Sequence, residues 1–244
     1  MTVERLAILS DVHGNLSALD AVLADARSRG VTTILNLGDM VGKGPRGQAV
    51  VDRCRDACAV TVRGNWEDFL PRTPDDGVPE HVWWRDELRA DQRDWFGTLP
   101  LSHDLLLSGR RVRLLHASAA SVHVKVFRSH TVGEFADMFA ATGLTGAGPE
   151  PTVVVYGDTH DAYVETSRGR TLANVGSVGN PLDEPTPVYA ILEGVPGSPA
   201  HASASGMPRS YATAISASTS YGTRTCWSEK GAGSGEPGTP SRIA

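Results

Sequence analysis

Seven side chains able to bind a cation through oxygen or imidazole nitrogen lie at five separated places in the chain: Asp11 and His13, Asp39, Asn65, His116, and Asp158 and His160. No thiolate accompanies them, and an oxygen-and-imidazole set suits Mn²⁺, Zn²⁺, Fe or Co rather than a structural zinc. Two divalent ions held about 3.5–4 Å apart need a shared carboxylate, and Asp39 is the natural bridge. Ions so placed lower the pKa of a water between them, giving a hydroxide nucleophile at neutral pH. Taken singly, an Asp or His in a loop is more often a turn former or a cap than a ligand. The joint placement is what needs a reason.

That reason lies in the apolar pattern around them. Strand-like runs at residues 6–9, 33–37, 59–62, 112–115 and 152–156 each end just before one of the five blocks. In open α/β sheets ligands collect outside the carboxyl ends of the strands. Between the runs lie helical patterns. Asn15 caps apolar residues at 16, 19, 22, 23 and 26, which Gly30 stops, and a second helix spans 47–57. This alternation predicts a largely parallel central sheet with helices on its faces. A hairpin joins 104–107 to 112–115 through residues 108–111, and Thr131 with Glu134 forms a capping box opening a helix to about residue 142. Strands follow at 163–166, 171–174 and 188–192. Gly38, Gly64 and Gly157 are expected to let the backbone turn sharply beside the ligands.

Residues 67–99, rich in Trp, Asp, Arg and Pro, interrupt the alternation and are helical in pattern over 83–95, which predicts a small helical cap inserted in a domain spanning 1–193. From 194 to 244 Ser, Gly, Ala, Thr and Pro dominate without apolar periodicity, so a disordered tail is expected. The formal net charge of −5 leaves no global field to draw the chain to nucleic acid or an anionic membrane. Any bound phosphate must be held locally, as by a metal centre. No run reaches the length of a membrane span or a signal peptide, and Cys54, Cys58 and Cys226 make no disulfide framework. A cytoplasmic, reduced setting is expected.

The blocks Asp11-Val12-His13, Gly38-Asp39, Gly64-Asn65, His116 and Gly157-Asp158-Thr159-His160 stand in the order of the calcineurin-like metallophosphoesterase superfamily. Over about residues 6–192 the chain resembles its small prokaryotic phosphodiesterase-type branch. The resemblance implies a four-layer αββα sandwich. It implies that Asp11, His13 and His160 hold one divalent ion, that Asp39 bridges, and that Asn65 and His116 hold the other, with Mn²⁺ favoured. Residues 174–181 resemble the glycine-rich loop beside the site.

Two positions depart from the family pattern. Trp66 follows Asn65 where the wider family has an imidazole that protonates the leaving group, and general acid catalysis is worth about 10²–10⁴-fold. Asp158 replaces a histidine ligand of the second ion; an aspartate there is a harder ligand and lowers the positive surplus of the centre. Both departures favour a phosphodiester with a good leaving group over an alkyl monoester. His123 is the candidate spare acid, Asn15 and Arg63 are candidate substrate contacts, and Lys43 is read as a solvated loop lysine. Trp66 is read as cap packing; His81 and His103 receive no role. The expected activity is hydrolysis of a small phosphodiester by a hydroxide held between two ions. A phosphomonoesterase and a weakly active metal-binding scaffold remain alternatives, and a sequence-specific nuclease lacks the basic stripe it would need.

Overall fold

The computed structural model describes residues 3–195 and the backbone of two further strands, Ala214–Thr219 and Arg224–Trp227. Strand β1 (Glu4–Leu9) is buried on both faces, and each face meets a different partner. Ala7 and Leu9 pack on Leu19, Val22 and Leu23 of helix α1 (Leu16–Ser28) and on Val50, Val51 and Cys54 of α2 (Gly47–Ala57). Leu6 and Ile8 face the other way, onto Val112, Leu114, Val153 and Val155. Such two-sided burial produces the continuous apolar run seen in the sequence.

Two sheets result. The first contains β1, β2 (Thr33–Asn36), β3 (Val60–Thr61), β9 (Val188–Gly194), β10 (Ala214–Thr219) and β11 (Arg224–Trp227), in the order β11-β10-β9-β1-β2-β3. The second contains β4 (Ser102–Leu107), β5 (Arg110–Leu115), β6 (Val153–Tyr156), β7 (Tyr163–Ser167) and β8 (Arg170–Asn174), in the order β4-β5-β6-β8-β7. β1, β2 and β3 run parallel, as do β5, β6 and β8; β9, β4 and β7 are antiparallel to their neighbours. On the outer face of the second sheet, Leu115, Val154, Tyr156 and Leu172 pack on Phe135 of helix α6 (Val132–Asp137) and on Met138 and Phe139. Helices, sheet, sheet and helix make the four-layer sandwich. A single central sheet, which strand–helix alternation alone suggests, is not what forms.

The region between β3 and β4 folds as α3 (Asn65–Phe69), a 3₁₀ turn (Leu70–Arg72), α4 (Pro79–Glu87) and α5 (Ala90–Thr98). Leu70, Leu88, Phe96 and Leu99 share the core of α1 and α2, so the cap is anchored on the body. The expected continuous helix over 83–95 is broken at extended Leu88 and Arg89: Leu88 turns into the core, and Gln92 accepts the Arg89 N–H to start a new helix. The Thr131 capping box forms as expected, with Glu134 donating its N–H to Thr131 Oγ1 and accepting that of Thr131. Helix α6 ends at Asp137 rather than near 142, because Arg113 takes the Ala140 carbonyl and Thr142 donates to that of Ala119. The β4–β5 hairpin is tighter than expected: Ser108 and Gly109, at φ +51° and +74°, form a two-residue turn.

The expectation of a structureless tail differs at β10 and β11. Ala-Ile-Ser-Ala-Ser-Thr pairs antiparallel with β9, which would otherwise be an edge strand with unpaired backbone groups. The remainder of 196–244 lies outside the described residues.

Candidate metal centre

Asp11 and His13 leave the end of β1, Asp39 that of β2 and Asn65 that of β3; His116 leaves β5, and Asp158 and His160 leave β6. The centre therefore sits where strand ends of both sheets meet. Its loops brace one another: Asp11 N–H donates to Gly38 O at 3.0 Å, His13 N–H to Asp39 O at 2.9 Å, and Asp158 N–H to Asp11 Oδ2 at 2.9 Å. Gly38 adopts φ +101°. Gly157 is instead required for room: a Cβ there would lie 2.1 Å from Ser10 Oγ and 2.6 Å from Asp11 Oδ2. The expected sharp turn at Gly157 is thus a close approach, and the same holds at Gly64, which packs on Asp39.

All three imidazoles are oriented alike. Nδ1 of His13 lies 2.9 Å from Val41 O, that of His116 2.9 Å from Leu37 O, and that of His160 2.5 Å from Asn180 O. A carbonyl can only accept, so Nδ1 carries a proton and Nε2 is the nitrogen turned to the centre, able to bind a cation through its lone pair when that nitrogen is deprotonated. There His13 Nε2 and His160 Nε2 are 3.2 Å apart, and Asp11 Oδ1 lies 3.6 and 3.1 Å from them. Asp39 reaches both halves, Oδ2 at 3.7 Å from His13 Nε2 and Oδ1 at 3.4 Å from His116 Nε2. Two sets of potential cation ligands emerge, Asp11 with His13 and His160, and Asp11 with Asp39 and His116, all buried.

Asn65 completes the second set. Its carbonyl oxygen faces acceptors only, 2.8 and 3.0 Å from the Asp39 carboxylate oxygens and 3.0 Å from His116 Nε2. Turning the amide over would give three hydrogen bonds in place of this repulsion. Asn65 thus lies within hydrogen-bonding reach of both Asp39 and His116. These donors fit a divalent ion: converging oxygens and imidazole lone pairs, buried, with little else to satisfy them. Asp11 Oδ1 and Asp158 Oδ2 are buried without hydrogen-bond partners.

The electrostatics carry the same mark. Burial alone would lower the His116 pKa, yet the carboxylates of Asp39, Asp11 and Asp158 outweigh it and push the imidazole up to about 10. Burial opposes ionisation of Asp11, but the neighbouring imidazoles of His13, His160 and His116 outweigh it and hold its carboxyl well below the usual range. Protons thus occupy a centre whose carboxylates call for positive charge.

Other expected residues fare differently. Asp158 Oδ1 is 3.7 Å from His116 Nε2 but is engaged at 2.7 Å by Lys125 Nζ, which also donates to the Asp158 carbonyl; burial raises the Asp158 pKa. Arg63 does not face the centre. Its guanidinium donates to Gly97 O and Leu99 O and reaches Asp68, fastening the end of α5 to β3, so the structure withdraws it as a substrate contact. His123 is half-exposed and pairs with Asp68 at 3.0 Å rather than with a ligand of the centre. Asn15 caps α1 through Ala18 N–H, and its amide donates to Gly179 O on the wall of the cleft containing His13 and Asn180. Lys43 is exposed in its loop, as expected, yet its Nζ lies 3.4 Å from His160 Nε2. Trp66 packs against His13, Phe69, His81 and Trp84, as cap packing requires.

Two residues escaped the sequence reading. Glu67 is buried and accepts from Asp39 N–H (2.7 Å), Gly64 N–H (2.9 Å) and Met40 N–H (2.8 Å); burial, then the Asp39 charge, push its carboxyl up to about 7. Its place two residues after Asn65 was a signal that a carboxylate braces this loop. Lys125, in an unpatterned loop, gave no signal.

Comparison with known proteins agrees with this geometry. The profile of the calcineurin-like phosphoesterase superfamily domain matches residues 5–195. An uncharacterised protein of Methanocaldococcus jannaschii is 27% identical over 204 residues, covering 75% of this chain and 79% of its own. A metallophosphoesterase from Sphaerobacter thermophilus has 26% identity and a TM-score of 0.59, over 78% of this chain and 83% of that one. A hypothetical protein from Pyrococcus horikoshii shares the fold at 13% identity and a TM-score of 0.61, over 77% and 82%.

Proposed function

The chain belongs to the calcineurin-like phosphoesterase superfamily, a family of metal-dependent hydrolases of phosphate esters, and from that premise we propose that it is a phosphodiesterase working with two divalent ions, Mn²⁺ favoured. The observation that carries the reading is the common orientation of His13, His116 and His160, each Nδ1 tied to a carbonyl and each Nε2 aimed at Asp11, Asp39 and Asn65. In the proposed arrangement Asp11, His13 and His160 would hold one ion and Asn65 and His116 the other, with Asp39 available to both. When bound, such ions lower the pKa of a coordinated water and draw negative charge off the phosphoryl oxygens.

The remaining work falls to the chain. Glu67 fixes Asp39 through two backbone N–H groups and so sets the spacing of the two halves. Lys43 Nζ, beside His160, and Lys125 Nζ, on Asp158, are the cations placed to orient an anionic phosphate. Trp66 offers no titratable proton, and this supports a substrate whose leaving group departs without protonation. Asn15 and Asn180, on the cleft wall, are positioned to donate to substrate oxygens.

One observation favours phosphomonoesterase activity as a second reading: Lys125 offsets the Asp158 charge, which otherwise weakens attraction for a dianion. The two are separated by Mn²⁺-stimulated hydrolysis of bis(p-nitrophenyl) phosphate against p-nitrophenyl phosphate. A higher kcat/KM for the diester supports the proposal; a higher value for the monoester supports the second reading. No turnover of either at saturating Mn²⁺ would reduce the protein to a binding scaffold.

A further inference from the structure

A second cleft adjoins the centre on the cap side. It is lined by Lys43, Gly44, Pro45, Pro79, Glu80, Trp83 and Trp84. The cleft at the centre is itself lined by His13, Asn15, Lys43, Gly44, Pro45 and Asn180, so the loop 43–45 is a wall common to both. An occupant of one touches residues of the other. Lys43 supplies the join: it lines both clefts, and its ammonium lies beside His160.

The cap cleft has a different chemistry from the centre. Its surface is dominated by two prolines and two indoles, and Trp83 remains 52% exposed at its mouth. Trp84 turns its edge to Trp66, which in turn packs on His13, so aromatic rings run without a break from a metal-type ligand to the surface. An exposed tryptophan facing prolines is a stacking platform, and a flat ring is what it accepts.

We propose that this cleft, bounded by Pro45, Pro79, Trp83 and Trp84, is a base-binding subsite, and that the substrate is a nucleotide phosphodiester whose phosphate sits at the centre while its base stacks on Trp83. The proposal rests on the phosphoesterase reading and names its substrate class. Glu80 on the rim is an acceptor for the exocyclic amine of a base. An aromatic cleft with a carboxylate could equally cage a quaternary ammonium. The Lys43 ammonium on the shared wall argues against that occupant, because it would repel a fixed positive charge while attracting phosphate.

Trp83 is exposed, so replacing it leaves the fold in place. The test is equilibrium binding of AMP, ribose 5-phosphate, phenyl phosphate and phosphocholine to the Mn²⁺-loaded full chain, by displacement of a fluorescent nucleotide, for wild type and Trp83→Ala. Stacking of one base typically changes affinity by about 5- to 100-fold. The expected result is AMP binding at least about tenfold tighter than ribose 5-phosphate. Trp83→Ala should shrink that ratio below about threefold and leave ribose 5-phosphate unchanged. Equal affinities for AMP and ribose 5-phosphate, a ratio unaffected by Trp83→Ala, or tighter binding of phenyl phosphate or phosphocholine than of AMP would each overturn the subsite. Turnover of methyl p-nitrophenyl phosphate, measured alongside, tests the phosphoesterase reading separately. Wild type should hydrolyse it, and failure to do so would sink that reading while the binding ratios still decide the subsite.

Discussion

Asp11, His13, Asp39, Asp158 and His160 all adopt left-handed backbone conformations, with φ between 46° and 65°. Outside glycine such conformations cost of order 1–3 kcal/mol each and persist only where surrounding structure imposes them. That five of the seven expected donors share this strain argues that their convergence is maintained against local preference. Asp39→Asn keeps the acceptor for Trp66 N–H but removes the charge reaching both halves of the centre. It should lower kcat/KM about a thousandfold, several kcal/mol of transition-state stabilisation, while the urea midpoint of the metal-free protein stays near wild type. Glu67→Gln should weaken Mn²⁺ binding by about 10–100-fold, the usual consequence of losing a group that orients a ligand; titration calorimetry checks it, and undiminished affinity would remove Glu67 as a positioning residue.

The sign of the pH dependence follows from His116. In the metal-free protein its folded pKa, about 10, lies above its unfolded value of 6.5. Its contribution to stability is therefore fully present below pH 6.5 and lost as pH rises through 10. Cation binding must displace that proton, so affinity should rise with pH across this window, with proton release visible as a dependence of binding enthalpy on the buffer. A pH-independent affinity would contradict the assignment of His116 as a ligand.

At the scale of elements, strand ends were legible because chemistry-bearing residues followed each apolar run at once. Helix α2, Gly47–Ala57, is bounded as its apolar spacing indicates, and the Asn15 and Thr131 caps form as their side chains dictate. What was hidden concerns pairings distant in sequence. A strand buried on both faces reads the same whether it is flanked by helices or by a second sheet, so residue pattern alone suggested one sheet. Arg63 looked like a phosphate ligand because it adjoins Asn65, and only the fold reveals the α5 carbonyls that claim it. Arg113 is another hidden pairing: it is 1% exposed and held by Asp104 through two hydrogen bonds of 2.8 and 3.0 Å. Asp104→Ala leaves that buried charge without its partner and should destabilise the protein by about 3–5 kcal/mol in urea denaturation. A loss below 1 kcal/mol would mean that the Ala140 carbonyl suffices.

For the whole molecule, the decisive feature is that the first sheet contributes Asp11, His13, Asp39 and Asn65, and the second His116, Asp158 and His160. Ions at the centre would tie the two sheets together. Ligand linkage then predicts that Mn²⁺ at a thousand times its Kd stabilises the fold by about 4 kcal/mol, seen as a rise in Tm that EDTA reverses. Among the described residues no helix is long and apolar enough to cross a membrane, and the formal charge of −5 adds no general attraction for phosphate. Affinity for substrate therefore has to arise within the centre and the clefts beside it.

The central claim is that scattered donors from two sheets form one dinuclear site. Calorimetric titration of the metal-free full chain with Mn²⁺, paired with elemental analysis of the product, tests it directly. The account predicts two ions per chain in wild type and fewer in Asp39→Asn. A wild-type chain that saturates at one ion, or takes up none, would contradict it.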